Sequence, residues 1–290
     1  PNRPALDARI TDLARRELGD AGATDWLAPG IAVDIPFAAG DASDNRALAD
    51  KLRHALDGAP VDVVITPAGD RRKRLFLADM DSTMIGQECI DELAAYVGLK
   101  EHVAAITERA MRGEIAFEPA LVERVALLRG LPASVVDDVI ANHITLTGGA
   151  RTLVATMRAH GAHTCLVSGG FTLFTDKIAA MIGFDESRGN QLLVDADGRF
   201  AGRVAEPILG RDGKLATLIS LCERHGLSPR DALVAGDGAN DLKMITAAGL
   251  GVAFHAKPAV AAAAGARIDH SDLTALLYAQ GYRREEFAAA

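Results

Sequence analysis

Asp79 and Asp81, two carboxylates spaced two apart, follow directly on the apolar run Leu75-Phe76-Leu77-Ala78. Like charges this close raise one another's pKa, so the pair needs a shared proton or a cation, and a hard ion such as Mg2+ is the natural neutraliser. Asp-x-Asp is also common in solvated turns, so the pair gains meaning only from groups that could share its site. Three other stretches offer them. Ser168-Gly169-Gly170 follows Thr164-Cys165-Leu166-Val167; its glycines let backbone approach a phosphate, its hydroxyl can donate, and a helix opening behind it presents free amides. Lys214 stands at the start of a helical pattern, against the helix dipole, which suits either a tolerated surface lysine or one aimed at an anion. Gly236-Asp237-Gly238-Ala239-Asn240-Asp241 puts a second acidic cluster after Ala232-Leu233-Val234-Ala235. Together the four stretches point to phosphoryl transfer with a divalent metal. Carboxylates would bind the metal and attack phosphorus, while Ser168, Lys214 and backbone amides hold the phosphate charge.

These groups can meet only if the runs before them are neighbours. Continuous apolar runs without alternation suit parallel strands covered on both faces, and ligands of such sheets collect at the strands' carboxyl ends. The fold class expected is α/β, a Rossmann-like doubly wound parallel sheet. Further strands are predicted at Gly251 to Phe254 and Arg267 to Ile268, with a hairpin of Gln191 to Asp195 and Arg199 to Val204 around Asp197-Gly198. Between the first and second core strands, residues 87 to about 147 carry helical patterns only: Glu88 to Val97, Lys100 to Met111, Phe117 to Arg129 and Ala133 to Asn142. That insert reads as an all-helical cap over the site, the alternative being a lateral subdomain. Residues 1–70 read as helix (Ala5 to Leu18), strands (Thr24 to Leu27, Gly30 to Pro36), helix (Asn45 to Leu56) and strand (Val61 to Thr66), with a loop at Gly40 to Asp44 and a linker at Pro67 to Asp70. This α+β order resembles the ferredoxin-like regulatory domains of the ACT type without their first strand. In related proteins such domains sense amino acids or mediate dimers, which leaves a homodimer open.

Composition bounds the partners. With 290 residues, 49% hydrophobic and 24% charged, the chain is globular and long enough for about two domains. A net charge of -8 argues against a nucleic-acid surface, and the one basic run, Arg71-Arg72-Lys73-Arg74, reads as a solvated linker. Cys89, Cys165 and Cys222 are odd in number and lack metal-type spacing, as expected of reduced thiols in a cytoplasmic protein. No apolar run approaches the ~18 residues of a membrane span, so no membrane partner is expected.

The four motifs, in this order and from about residue 74 to the C-terminus, closely resemble those of the haloacid dehalogenase superfamily. Glu88-Cys89-Ile90-Asp91-Glu92 and Met111-Arg112-Gly113-Glu114, followed by Phe117 and Arg124, are most similar to its phosphoserine phosphatase family. The resemblance implies Mg2+-dependent hydrolysis of a small molecule, phosphoserine, as the last step of serine biosynthesis. It makes Asp79 the nucleophile that forms an aspartyl phosphate and Asp81 the acid and base. Mg2+ would be held by Asp79, the Asp81 carbonyl and Asp237. Ser168, the Gly169 amide and Lys214 would hold the phosphoryl oxygens, with Asn240 and Asp241 in support. Glu88 and Arg124 would take the ammonium and carboxylate, with Met111 and Phe117 as cap walls. The implied boundaries are an ACT-like domain at 1–70 and a phosphatase domain at 71–290. Another small-molecule phosphatase or phosphotransferase of the superfamily is the nearest alternative, separable by a substrate panel. A non-catalytic amino-acid sensor is the alternative of another class, against which the intact set Asp79, Asp81, Lys214 and Asp237 speaks.

Overall fold

The structure, a computed structural model, describes residues 5–38, 45–56, 58–111 and 114–289, without the side chain of Met111. Its strands are β1 (Asp25–Ala28), β2 (Ala32–Asp34), β3 (Leu75–Ala78), β4 (His163–Phe171), β5 (Glu186–Asn190), β6 (Leu192–Val194), β7 (Phe200–Val204), β8 (Ala232–Gly236), β9 (Leu250–Phe254) and β10 (Ala266–Ile268). Six of them form one parallel sheet in the order β10-β9-β8-β3-β4-β5. In β3 alternate side chains enter opposite layers, as strand geometry requires. Phe76 and Ala78 pack with Leu166, Phe171 and Phe174 on one face, and Leu75 and Leu77 with Val167, Leu218, Leu221 and Val234 on the other. All four β3 side chains have no exposed surface, which is why the run shows no polar alternation. Truncating one of these leucines to alanine would cost about 2–5 kcal/mol. The α/β class expected from the apolar runs is therefore the observed one.

The helical insert is present as Cys89–Tyr96, Lys100–Met111, Phe117–Ala126 and Val135–Asn142. Its Leu93, Val103, Leu121 and Val125 join the apolar layer of Phe76 and Ala78, so cap and sheet share one core. β6 and β7 form the expected hairpin, Leu192 facing Val204, with Gly198 at φ 75° in its turn.

Three expectations change. Val61 to Thr66 forms no strand: Arg53 donates to the Val63 carbonyl at 2.9 Å, and Asp62 accepts from the N–H groups of Asp269, His270 and Ser271 at 2.7, 3.2 and 2.9 Å. Side-chain bonds thus replace a ladder, and among the described residues the sheet of the N-terminal segment is the antiparallel β1–β2 pair. Second, β4 continues through Ser168-Gly169-Gly170 to Phe171, with its register against β5 broken between Val167 and Phe171. Third, the basic run is not a free linker. Arg71 binds the Asp34 carboxylate, and Arg72 binds Glu286 at 2.6 Å and lies 4.2 Å over the Tyr282 ring. Leu27 and Ala28 of β1 pack on Tyr278 and Phe287, and Arg283 bonds the Trp26 carbonyl at 3.0 Å. The expected loop at Gly40 to Asp44 lies outside the described residues. Among the described residues no helix is long and apolar enough to cross a membrane.

Asp62 anchors residues 59–66 to the end of β10. Asp62→Ala should strip an acceptor from three amides and lower stability by about 1–2 kcal/mol, read as a Tm a few degrees lower. An unchanged Tm would show that the segment is held elsewhere.

Candidate active site

Strand pairing carries one residue past β3: the Asp79 N–H donates to the Ala235 carbonyl of β8 at 3.0 Å. Asp79 is thereby fixed at the sheet's carboxyl edge, 4% exposed. The chain then turns sharply through Met80–Met84, with Ser82 at φ 55°, a left-handed conformation rare for a residue with a Cβ. The strain is local and directed, because the Ser82 hydroxyl donates to Glu88 Oε1 at 2.7 Å.

Lys214 is no surface lysine. It is fully buried, with Nζ 2.8 Å from Asp79 Oδ1 and 2.7 Å from Asp241 Oδ1. Burial works to lower its pKa, yet Asp241 and Asp79 outweigh it and leave it raised, so the ammonium stays charged. Asp241 Oδ2 accepts from the Gly238 N–H at 3.0 Å. A Cβ at Gly236 would lie 2.5 Å from the Asp241 carboxyl carbon, so only glycine lets β8 end against this carboxylate. Burial, then the Asp241 charge, pushes the Asp237 carboxyl up to about 6, with Lys257 at 3.8 Å acting the other way. Carboxylate oxygens of Asp79, Asp237 and Asp241 all lie within 4.8 Å of one another. One buried lysine cannot neutralise three such acids, and an all-oxygen donor set suits a hard divalent cation. The Asp79 carboxyl is raised first by burial and then by Asp241.

The Asp81 carboxylate does not join that trio. Its Oδ1 accepts from the Cys89 N–H at 2.9 Å and its Oδ2 from the Ser168 hydroxyl at 3.3 Å. Its pKa is raised by burial, tempered by the Cys89 amide. Ser168 is 1% exposed, and its Oγ accepts from the Gly170 N–H at 2.8 Å. Phe117 reaches down from the cap: a Cβ at Gly169 would lie 2.8 Å from its Cζ, and one at Gly210 would lie 3.2 Å from its Cδ1. Asn240 stands beside the same loops, with its Oδ1 2.3 Å from where a Gly238 Cβ would be. The helical insert therefore places one aromatic ring against the Ser168 loop and Gly210 at the sheet's carboxyl edge.

In the cap, Glu88 is pushed up to about 8 by burial and then by the Asp81 charge. Arg124, 7% exposed, donates from Nε to the Ala120 carbonyl and from a terminal nitrogen to Thr107 Oγ1, both at 3.0 Å. Burial lowers its pKa while Asp91 and Glu88 hold it up. The side chain of Met111, and Arg112 and Gly113, lie outside the described residues. Sequence reasoning missed the Cys89 amide and Lys257, since neither a backbone N–H nor a lone lysine after a strand carries a recognisable spacing. It also passed over Asn190, which is 2% exposed beneath the Ser168 loop. A second cluster, His163, Glu186 and His225, sits at the opposite end of the sheet. There Arg188 and Arg224 already engage Glu186 and Arg158 engages Asp185, so positive charge is not lacking.

Residues 76–246 match the family of haloacid dehalogenase-like hydrolases. The chain is 46% identical over 232 residues to a phosphoserine phosphatase of Streptomyces coelicolor, an alignment covering 79% of this chain and 56% of that one. To the phosphoserine phosphatase of Saccharomyces cerevisiae it is 35% identical over 290 residues, 97% of this chain and 94% of the other. A solved structure described as a phospho-aspartyl intermediate analogue of phosphoserine phosphatase superposes with a TM-score of 0.67 at 38% identity, covering 71% of this chain and 98% of that one.

Both Glu88 and Asp237 hold their protons more tightly when folded, relative to ordinary values of 4.5 and 3.8. The stability each contributes is complete below its unfolded value and is lost as pH rises through about 8 and about 6, respectively. In chelator, Tm should therefore fall between about pH 5 and about pH 9, and added Mg2+ should flatten the lower part of that fall, through about 6, by neutralising the ionised Asp237. Identical slopes with and without Mg2+ would refute the cation site.

Proposed function

The chain belongs to the haloacid dehalogenase-like hydrolases, and on that footing we propose that it hydrolyses phosphoserine to serine and inorganic phosphate, with Mg2+, through an aspartyl phosphate. The observation that carries the reading is the fully buried Lys214 held on Asp79, with Asp81 and Ser168 bonded to each other at 3.3 Å beside it. Relatives that carry the phosphoserine phosphatase name support the substrate.

In the first step an Asp79 oxygen bonds to phosphorus as the bond from phosphorus to the serine oxygen breaks. Both Asp79 contacts, from Lys214 and from the Met80 N–H, use Oδ1, which leaves Oδ2 for attack. Asp81 gives its proton to the departing oxygen, a task suited to a carboxyl whose pKa burial has raised. In the second step Asp81 takes a proton from water, the water oxygen bonds to phosphorus, and the bond to Asp79 breaks. Phosphate leaves with Asp79 ionised and Asp81 protonated again. Ser168, the Gly169 amide and Lys214 hold the phosphoryl oxygens, and Asn240 and Asp241 support them. Mg2+, held by Asp79, the Asp81 carbonyl and Asp237, would neutralise phosphoryl charge; the clustered oxygens of Asp79 and Asp237 fit that role.

The cap supplies the selectivity. Glu88 is half-buried beside Asp81, and an arriving ammonium would provide the countercharge that lets it ionise. Arg124 uses two of its N–H groups on Ala120 and Thr107 among the described residues, and the remaining donors suit a carboxylate. Phe117, which rests on Gly169 and Gly210, would wall the substrate site. We assign the chemistry to residues 71–290, with the cap at about 87–147, and treat 1–70 as an accessory α+β unit. On this reading the reaction is the last step of serine biosynthesis and is cytoplasmic, a compartment that suits the free, buried Cys89, Cys165 and Cys222.

Asp79→Asn should abolish turnover while the chain still folds with a lowered Tm, since an amide of nearly equal size is a poor nucleophile that can accept from Lys214 but no longer matches its charge. Radiolabelled phosphate trapped covalently on the folded variant would move the nucleophile elsewhere. Arg124→Ala should lower kcat/KM for phosphoserine at least about tenfold, because a charge-assisted hydrogen bond is worth roughly 1.5 to 3 kcal/mol. Glu88→Gln should act in the same direction, and an aryl phosphate should respond far less to either change. Equal losses on both substrates would remove the selectivity role from these two residues.

A further inference from the structure

Asn190 ends β5 and lies behind the phosphate-binding loops, 2% exposed. Its Nδ2 donates to the Gly169 carbonyl at 2.9 Å and to the Leu209 carbonyl at 3.1 Å, while its Oδ1 accepts from the Leu209 N–H at 2.7 Å. One amide thus spends both donor hydrogens and one acceptor site on two segments far apart in the chain. We infer that Asn190 is a positioning residue that sets Ser168 against Lys214. The inference rests on the reading of these two as phosphoryl-binding groups.

The geometry gives each bond a consequence. Pinning the Gly169 carbonyl fixes the peptide plane whose other end is the Gly170 N–H, and that N–H donates to Ser168 Oγ. A hydroxyl oxygen that already accepts there turns its proton away from the loop, toward Asp81 Oδ2 at 3.3 Å. Pinning both polar groups of Leu209 fixes the residue before Gly210, whose carbonyl accepts from the Lys214 N–H at 3.0 Å in the first turn of the lysine's helix. Gly210 also carries the Phe117 ring against its Cα. The hydroxyl strand, the lysine helix and the cap's aromatic wall therefore share one side-chain tie. Gly189 shows how closely β5 is applied: a Cβ there would lie 3.2 Å from the Gly170 carbonyl oxygen and 3.1 Å from the Thr175 side chain.

Asn190→Asp keeps the volume but removes both donors and sets a carboxylate against two carbonyl oxygens. Because displacements of about 1 Å at a reacting centre cost up to about a hundredfold in rate, kcat/KM should fall at least about tenfold. The loss should be the same for phosphoserine and an aryl phosphate, and inhibition by inorganic phosphate should weaken several-fold. That equal loss separates Asn190 from the cap residues. A lower Tm with kcat/KM per folded molecule and phosphate inhibition unchanged would overturn the proposal and leave only a structural role. Should Asn190→Asp not fold, Gly189→Ala decides: its methyl must push β5 from the Gly170 carbonyl by a few tenths of an ångström, and a smaller loss on both substrates is expected, no change being the contrary result. Wild-type turnover of aryl phosphate without turnover of phosphoserine would defeat the substrate reading while leaving this test intact.

Discussion

A lysine ammonium buried without solvent between two carboxylates is the interaction on which the rest of the site depends. Lys214 can remain charged there only because Asp79 and Asp241 face it at 2.8 and 2.7 Å. Removing one partner of such an arrangement typically costs about 3–5 kcal/mol, since the remaining charge stays buried and unmatched. The requirement reaches outward into the fold. It demands that β3 and β8 be neighbours, that β8 end in a glycine, and that the helix from Arg211 begin beside the sheet's edge.

The same charge count explains why the site is unfinished without ligands. Asp237 and Glu88 are both driven toward their neutral forms by burial and by acidic neighbours. Two cations of different kinds would relieve them, a hard metal at the sheet's edge and an organic ammonium in the cap. Phe117 bridges the two regions by resting on Gly169 and Gly210, so the ring proposed to wall the substrate also touches the loops proposed to hold phosphate. Binding at one place is thus mechanically adjacent to the other.

The catalytic edge was legible in the sequence because its strands are covered on both faces. Leu75 to Ala78 and Ala232 to Ala235 announce themselves as apolar runs, and the carboxylates at their ends then have to meet. β5 was not legible: Glu186-Ser187-Arg188-Gly189-Asn190 is polar, since it lies at the sheet's edge, and it was passed over together with Asn190. Val61 to Thr66 erred in the other direction. Its residues favour a strand, but Asp62 is committed to three amides after β10, and that tertiary demand overrides local preference. Arg71 and Arg72 read as solvated because their acceptors, Asp34 and Glu286, are remote in sequence. The direction of the Asp81 carboxylate depends on the Cys89 amide, which no residue type encodes.

The packing of β1 against Tyr278 and Phe287 has a consequence for the order in which the protein is assembled. A two-stranded pair alone is marginal in water, and the apolar surface that completes this one belongs to residues near the other end of the chain. On the ribosome, Leu27 and Ala28 emerge long before Tyr278. The β1–β2 pair must wait through synthesis of the whole catalytic sheet, so the part of the molecule translated early is among the last to reach its final form.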